Sequence, residues 1–316
     1  PKPASQRKAE AEAAAAEEAA RGARLGGYPP TTSPTAAVFA PFSIEGSTDA
    51  LGNFSHANPL HKSVARRGSS DVSPGAGGAG GAGDAGGALG AALSTWHLHY
   101  HKERIISKER DAMKGSYLGP EYSNIQIEVM LKECGAIFKK LSTSNLIDSV
   151  AVALANKKAV GWMQGRMEFG PRSLGARSIL ADPRSEKMQK NLNLKVKYRE
   201  SFRPFAPSIL KENLKDWFDL EIESPYMLMV ADIKQEKQIQ MTGDQKTLFG
   251  IDKLNIKRSK IPAVTHVDYS ARVQTVNKDT NKYYYDLIQK FKEKTGCPVI
   301  VNTSFNVRGE PIVNSP

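Results

Sequence analysis

Phe169-Gly170-Pro171-Arg172-Ser173-Leu174-Gly175-Ala176-Arg177-Ser178-Ile179-Leu180-Ala181-Asp182-Pro183-Arg184 is the stretch on which the reading of the chain turns. Arg172, Arg177 and Arg184 fall within thirteen residues of one another. Gly170-Pro171 and Gly175 break any regular helix and leave backbone N–H groups free to face a ligand. Arginine offers a planar fork of donors that matches phosphate or carboxylate oxygens, and small residues add main-chain donors without steric cost. In outline this is an anion site. A solvated basic loop paired with surface acids would have the same composition, so the rest of the chain has to decide.

Working outward, apolar residues at helical spacing predict helices over 125–141 and 147–157, followed by a short buried strand over 158–165. The arginine-rich loop therefore leaves the end of a strand, where α/β proteins place their ligands. A helix is expected over 185–194. Beyond it Lys197, Arg199 and Arg203 form a second basic cluster, interleaved with Tyr198, Phe202 and Phe205. Rings between cations suit stacking on a base, and they suit a core equally well. The phenylalanines are expected in the core. Lys197 and Arg203 are expected at a ligand, because Pro204 and Pro207 prevent a plain solvated helix.

Strands are expected over 227–233 and 263–267, with a polar Lys/Gln-rich surface insertion between them. His266 near Asp268 is not a hydrolase arrangement, since no nucleophile elbow accompanies it. A helix over 282–294 ends at Gly296, with Pro298 beyond. Val299-Ile300-Val301 then forms a buried strand whose end presents Asn302-Thr303-Ser304-Phe305-Asn306. Amides and hydroxyls at a strand's carboxyl end suit a small polar group such as a carbamoyl or ureido moiety.

Composition sharpens the split along the chain. At 316 residues it has room for about two domains. Residues 1–100 carry eight Lys/Arg and eight Asp/Glu, so the entire net charge of +11 lies in residues 101–316. A basic folded part fits anionic partners: nucleotides, phosphorylated metabolites or nucleic acid. Cys134 and Cys297 are far apart, with no C-x-x-C and no zinc-ligand spacing, and no apolar run reaches a membrane-spanning length. A reduced, cytoplasmic protein is the expectation, with no membrane partner. Residues 1–70 read as low-complexity sequence, in which His56 and His61 have no scaffold to make them metal ligands. Nine of the twenty residues from Asp71 to Gly90 are glycine. They read either as a flexible linker or as a glycine turn feeding a helix that begins after Asp84.

Several separated runs match one family in identity, order and spacing. Residues 168–179, Phe202-Arg203-Pro204-Phe205-Ala206-Pro207, Ser224-Pro225-Tyr226-Met227, and Asn302-Thr303-Ser304-Phe305-Asn306 with Gly309-Glu310-Pro311-Ile312-Val313 closely resemble the C-terminal domain of the NodU/CmcH carbamoyltransferases. Residues 83–93 resemble the end of that family's N-terminal domain. The resemblance implies an α/β protein in three parts: a disordered segment 1–70, a remnant of the ASKHA-like transfer domain over 71–120, and a YrdC-like domain with a twisted mixed sheet and helices over 121–316. It implies an O-carbamoyltransferase that makes carbamoyl-adenylate from carbamoyl phosphate and ATP, then delivers the carbamoyl group to an acceptor hydroxyl.

By motif position the resemblance carries over Arg172, Lys197 and Arg203 as the catalytic cations. Arg166, Ser173, Arg177, Ser178, Arg272, Asn302, Ser304 and Asn306 become substrate or nucleotide contacts, and Asp84 a metal ligand. Mg²⁺ would accompany ATP, and Fe²⁺ or Mn²⁺ would serve the transfer site. The family's H-x-x-x-H metal pair has no counterpart, since His56 and His61 are five apart. The expectation is thus a truncated enzyme that keeps the adenylate-forming half. The rival is a YrdC-like module that binds RNA or nucleotide without catalysis, although nucleic acid is not the expected partner.

Overall fold

A computed structural model of the chain describes residues 36–42, 84–104, 111 and 113–316. Its centre is a mixed sheet whose strands are β1 (Ala36–Phe42), β2 (Ala159–Gln164), β3 (Arg177–Ala181), β4 (Ala206–Leu210), β5 (Met229–Asp232), β6 (Ser270–Val276) and β7 (Val299–Ser304). The spatial order is β1-β2-β3-β7-β4-β6-β5. Only β4 and β6 run parallel, and every other neighbour pair is antiparallel. The expected α/β class with a mixed sheet is thus found. The strand β1 lies where low-complexity sequence was expected, while the rest of residues 1–70 falls outside the described residues.

The longer helices are α1 (Asp84–Ser94), α2 (Asn124–Glu133), α3 (Thr143–Ala155) and α4 (Lys282–Thr295). Ser123 and Gln126 close α2 with a reciprocal capping box, and Ser142 and Asn281 accept from main-chain amides at the starts of α3 and α4. Gly296 ends α4 at φ 72°, the left-handed turn expected of a glycine cap. Helices α3 and α4 supply Leu154, Leu287 and Phe291 to a core shared with Trp162, Leu180, Ile209 and Ile300 of the sheet. Burial of these apolar side chains is what holds the sheet to its helices.

Four expected elements come out differently. The helix expected over 125–141 stops at Glu133, where Gly135 turns left-handed at φ 69°, and Ile137 beyond it is fully exposed. The helix expected over 185–194 is the short turn Met188–Asn191, which widens into a π-type turn, Leu192–Val196. The strand expected over 263–267 is a tight turn at Pro262–Val264, and the strand proper begins at Ser270. The polar insertion, read as loop, carries two short helices, Gly243–Thr247 and Gly250–Leu254. Among the described residues no helix is long and apolar enough to cross a membrane.

Candidate functional site

Cross-strand partners share a face of a sheet. The register Trp162↔Ser178, Ser178↔Ser304, Ala206↔Asn302 and Ser208↔Gln274 therefore puts Trp162, Gln164, Ser178, Ser208, Arg272, Gln274, Asn302 and Ser304 on one face. The glycine- and arginine-containing loop lies over this face, and side chains hold its main chain. Asn302 Nδ2 donates to Ser173 O (3.0 Å), and Gln274 Nε2 to Leu174 O (2.8 Å). Trp162 Nε1 and Gln164 Nε2 both donate to Gly175 O, at 3.0 and 2.9 Å.

The loop's amides are bound from the other side. Glu168 Oε1 accepts from the N–H groups of Leu174 (2.7 Å), Ala176 (2.7 Å) and Arg177 (3.2 Å), while Ser178 Oγ accepts from Gly175 N (3.1 Å). Burial pushes the Glu168 carboxyl above its ordinary value, although these amides pull the other way. Gly175 sits at φ +104°, and a Cβ there would lie 2.3 Å from the Tyr284 ring, so only glycine fits. With its peptide groups fixed, the loop presents its side chains at set positions.

Arg172 Nε and Ser173 Oγ of the loop and Asn302 Oδ1 of β7 are buried without a partner, as are Glu168 Oε2, Arg177 Nε and Tyr284 Oη among the described residues. A buried polar group without a partner costs about 1–3 kcal/mol, and a ligand is one way in which it can be completed. Arg272 lies beside Arg172. Burial first, and then the Arg172 charge, push the Arg272 guanidinium down to about 10. Two guanidinium groups near enough to repel one another suit a shared anionic ligand.

The second cluster sits further along β7. Lys197 Nζ donates to Ser304 O, and lies 3.2 Å from Ser304 Oγ and 2.9 Å from both Asn306 O and Asn306 Oδ1. Burial, then the Arg199 charge, push its ammonium down to about 7, while the four oxygens favour the protonated form. Above it opens a cleft of about 230 Å³ lined by Arg199, Glu200, Arg203 and Arg308 as well as Lys197. Arg203 pairs with Glu200 at 2.9 Å. Arg199 donates to Asn193 Oδ1 (2.7 Å) and stacks over the Phe205 ring. An exposed ion pair of this kind contributes little and yields readily to a polyanion.

The candidate residues therefore fall into two neighbouring groups, Arg172, Ser173, Arg272 and Asn302, and Lys197, Arg203, Ser304 and Asn306, joined through β7. Ser304 and Asn306 spend their oxygens on Lys197. Arg177 faces away from both groups. It is fully buried, with Nη1 on the carbonyls of Gln164, Gly165 and Ala176 and Nη2 on those of Pro120 and Gly165, so it acts as a clamp on the main chain rather than as a ligand contact. Arg166 is likewise turned to Gly119 O (3.1 Å) and to Glu121 (3.6 Å). Ser178 holds the loop from beneath. Asp84 opens α1, and among the described residues no group of three or more His, Cys, Asp or Glu is placed to hold a metal. Of the phenylalanines expected in the core, Phe205 is buried but Phe202 is exposed.

Sequence reasoning gave no role to Arg308, Gln274, Glu168 or Tyr117. Arg308 lies two residues past the Asn302–Asn306 run and carried a readable charge. The other three act through contacts 6 to 164 residues away, which no local pattern displays.

Residues 151–316 match the family described as Carbamoyltransferase C-terminus. An uncharacterized protein of Synechocystis sp. is 57% identical over 229 residues, 72% of this chain and 37% of that protein. The nodulation protein NolO of Bradyrhizobium diazoefficiens is 39% identical over 65% of this chain and 35% of its own length. The 3'-hydroxymethylcephem-O-carbamoyltransferase of Amycolatopsis lactamdurans is 37% identical over 53% of this chain and 28% of its own. The matched region spans little more than a third of each of these relatives at most. It includes every residue of the two clusters just described, and the chain belongs to the NodU/CmcH family of carbamoyltransferases.

Proposed function

We propose that this chain carries the adenylate-forming half of an O-carbamoyltransferase, a YrdC-like unit that activates carbamoyl phosphate with ATP. The observation that carries the reading is the set of buried, unpartnered atoms Arg172 Nε, Ser173 Oγ and Asn302 Oδ1 beside a repelled Arg272. A carbamoyl group presents one carbonyl oxygen and one NH₂. Its NH₂ would donate to Asn302 Oδ1 and the two lone pairs of its carbonyl oxygen would accept from Arg172 and Ser173, which satisfies all three atoms. The larger cationic cleft past Lys197 then takes the phosphates of ATP, which arrives with Mg²⁺.

Water cleaves carbamoyl phosphate to carbamate and inorganic phosphate. A carbamate oxygen then bonds to the α-phosphorus of ATP, and pyrophosphate leaves. Positive charge fixed around these oxygens before the reaction begins lowers the barrier as negative charge shifts toward the leaving group. Transfer to an acceptor hydroxyl belongs to the longer architecture of the relatives, and no step of it is assigned to the described residues.

The test is carbamoyl-phosphate-dependent exchange of labelled pyrophosphate into ATP, measured on the wild type and on Arg172→Ala. Exchange in the wild type that falls by about two orders of magnitude in the variant is expected, the scale typical of removing one preorganised charge donor. Absence of exchange from a folded preparation overturns the reading.

A further inference from the structure

Across the loop runs a strap, residues 113–122, that lies upstream of the family match at 151–316. Its main chain is laced to the loop's entry: Gly119 N donates to Met167 O (2.9 Å), Met167 N to Pro120 O (2.9 Å) and Phe169 N to Ser116 O (2.7 Å). Arg166 and Arg177 reach the carbonyls of Gly119 and Pro120. At its start, Asp111 accepts from Met113 N, Gly115 N and the Tyr226 hydroxyl. Lys114, Gly115 and Ser116 are all left-handed, at φ 49°, 70° and 66°. Strained backbone of this kind persists only where surrounding contacts over-determine it, and it clusters at functional sites.

From the strap Tyr117 reaches into the loop. Its hydroxyl donates to Leu174 O (2.8 Å) and accepts from Asn281 Nδ2 (2.9 Å). Asn281 Oδ1 accepts in turn from Gln164 Nε2 (2.8 Å), whose same nitrogen holds Gly175 O. Gly115 passes close beneath the ring, where a Cβ would lie 2.8 Å from it and 2.4 Å from Thr280. Tyr117 also packs with Leu174, Ala206, Met227 and Tyr226 in a small core separate from the main one. The peptide units 174 and 175 are thus tied to the start of α4 and to the strap, immediately after the two residues whose polar atoms stand unpartnered.

We infer that Tyr117 is a positioning residue of the carbamoyl site, acting through Leu174 and Gly175 to aim Arg172 and Ser173. The strap is then part of this site and not of a separate upstream domain, which moves the working boundary from residue 120 to upstream of Asp111. The inference rests on the function proposed above, since the loop it aims is that function's substrate contact. Burial, and secondarily the Glu168 charge, raise the phenol well above its ordinary value, so the hydroxyl stays a donor throughout the working pH range.

The test uses Tyr117→Phe in the full chain, which keeps the ring and removes only the hydroxyl. In pyrophosphate exchange the KM for carbamoyl phosphate is expected to rise about tenfold while the KM for ATP stays near wild type, and the unfolding midpoint to fall because Asn281 Nδ2 loses its acceptor. In an Arg172→Ala background the same substitution is expected to change residual carbamoyl phosphate use by less than about twofold, because residues acting through one another are not additive. A full further tenfold loss in that background, or an unchanged KM in the single variant, overturns the inference. Hydrogen exchange separates this outcome from failure of the proposed function. Even if the wild type shows no exchange of pyrophosphate, Tyr117→Phe should speed amide exchange over residues 172–177 relative to α4, and equal protection there would sink the positioning role.

Discussion

At the scale of single residues, the two lysine- and arginine-bearing clusters hold their charge in different ways. Arg172 and Arg272 repel one another beside unbonded atoms, so a ligand improves what the folded chain leaves unsatisfied. Lys197 is instead surrounded by oxygens of Ser304 and Asn306, which fixes the turn after β7 and forms the floor of the cleft. Its ordinary value of 10.5 is pushed down to about 7, mainly by burial. Below pH 7 the cleft therefore carries this charge, and above it the charge is lost together with one N–H donor. The expected outcome is that kcat/KM for ATP in pyrophosphate exchange falls about tenfold per pH unit above about 7. Lys197→Met should show a low and flat profile over the same window. Linkage gives stability the opposite sign: between about 7 and 10.5 the unfolded chain keeps the proton that the folded chain has released, so this group favours folding more as pH rises. A pH–rate profile and an unfolding series at matched pH check both signs, and a wild-type profile that Lys197→Met leaves unchanged would remove Lys197 from the site.

At the scale of elements, the decisive piece is a loop whose conformation is set by side chains from β2, β6, β7 and the strap. Gly175→Ala tests that account. The new methyl would meet the Tyr284 ring at 2.3 Å in a backbone that L side chains avoid. A loss of about 3 kcal/mol or more in unfolding free energy is expected, from left-handed strain and overpacking together, with exchange activity lost as the loop shifts. A midpoint within about 0.5 kcal/mol of wild type would mean the loop is free to move. Elements with local punctuation were readable in advance: α4 runs from its Asn281 cap to Gly296, and β7 follows Pro298. The strand expected over 263–267 failed for a physical reason. Ile261, Pro262, Ala263 and Val264 are all buried, so the run is apolar because it is core, and an apolar run alone does not distinguish a strand from a buried turn. The true strand β6 alternates Arg272 and Gln274 with Val273 and Thr275, and it lacks an apolar run because one of its faces meets the polar loop. Arg172, Ser173 and Asn302 were legible because glycine, charge and a strand end marked them. Tyr117, Glu168 and the clamp role of Arg177 were not, because each is defined by partners that only folding brings near.

At the scale of the whole molecule, the question is what a net charge of +11 is for. The basic side chains at the heart of the fold do not form an open track. Arg177 and Arg258 spend their donors on main-chain carbonyls, Arg258 on those of Lys253, Leu254, Thr265 and His266. The cations placed at the candidate site are Arg172 and Arg272 at the loop, and Lys197, Arg199, Arg203 and Arg308 around one cleft with Glu200 as the acid among them, with Lys197 buried and Arg203 and Arg308 exposed. A surface track that reads RNA through about 6–10 phosphates loses roughly 10³–10⁵ in affinity between ~50 and ~200 mM salt. An enclosed pocket is screened much less. Titration of the full chain with ATP and, separately, with a mixed-sequence RNA duplex distinguishes the two. The ATP dissociation constant is expected to weaken by less than about tenfold across that range, because ATP brings only a few phosphates to the site. RNA bound at low salt should leave at high salt without carrying ATP with it. RNA that stays bound at high salt and excludes ATP would instead make the basic face the functional surface, and the buried, unpartnered atoms at Arg172, Ser173 and Asn302 would then need another explanation.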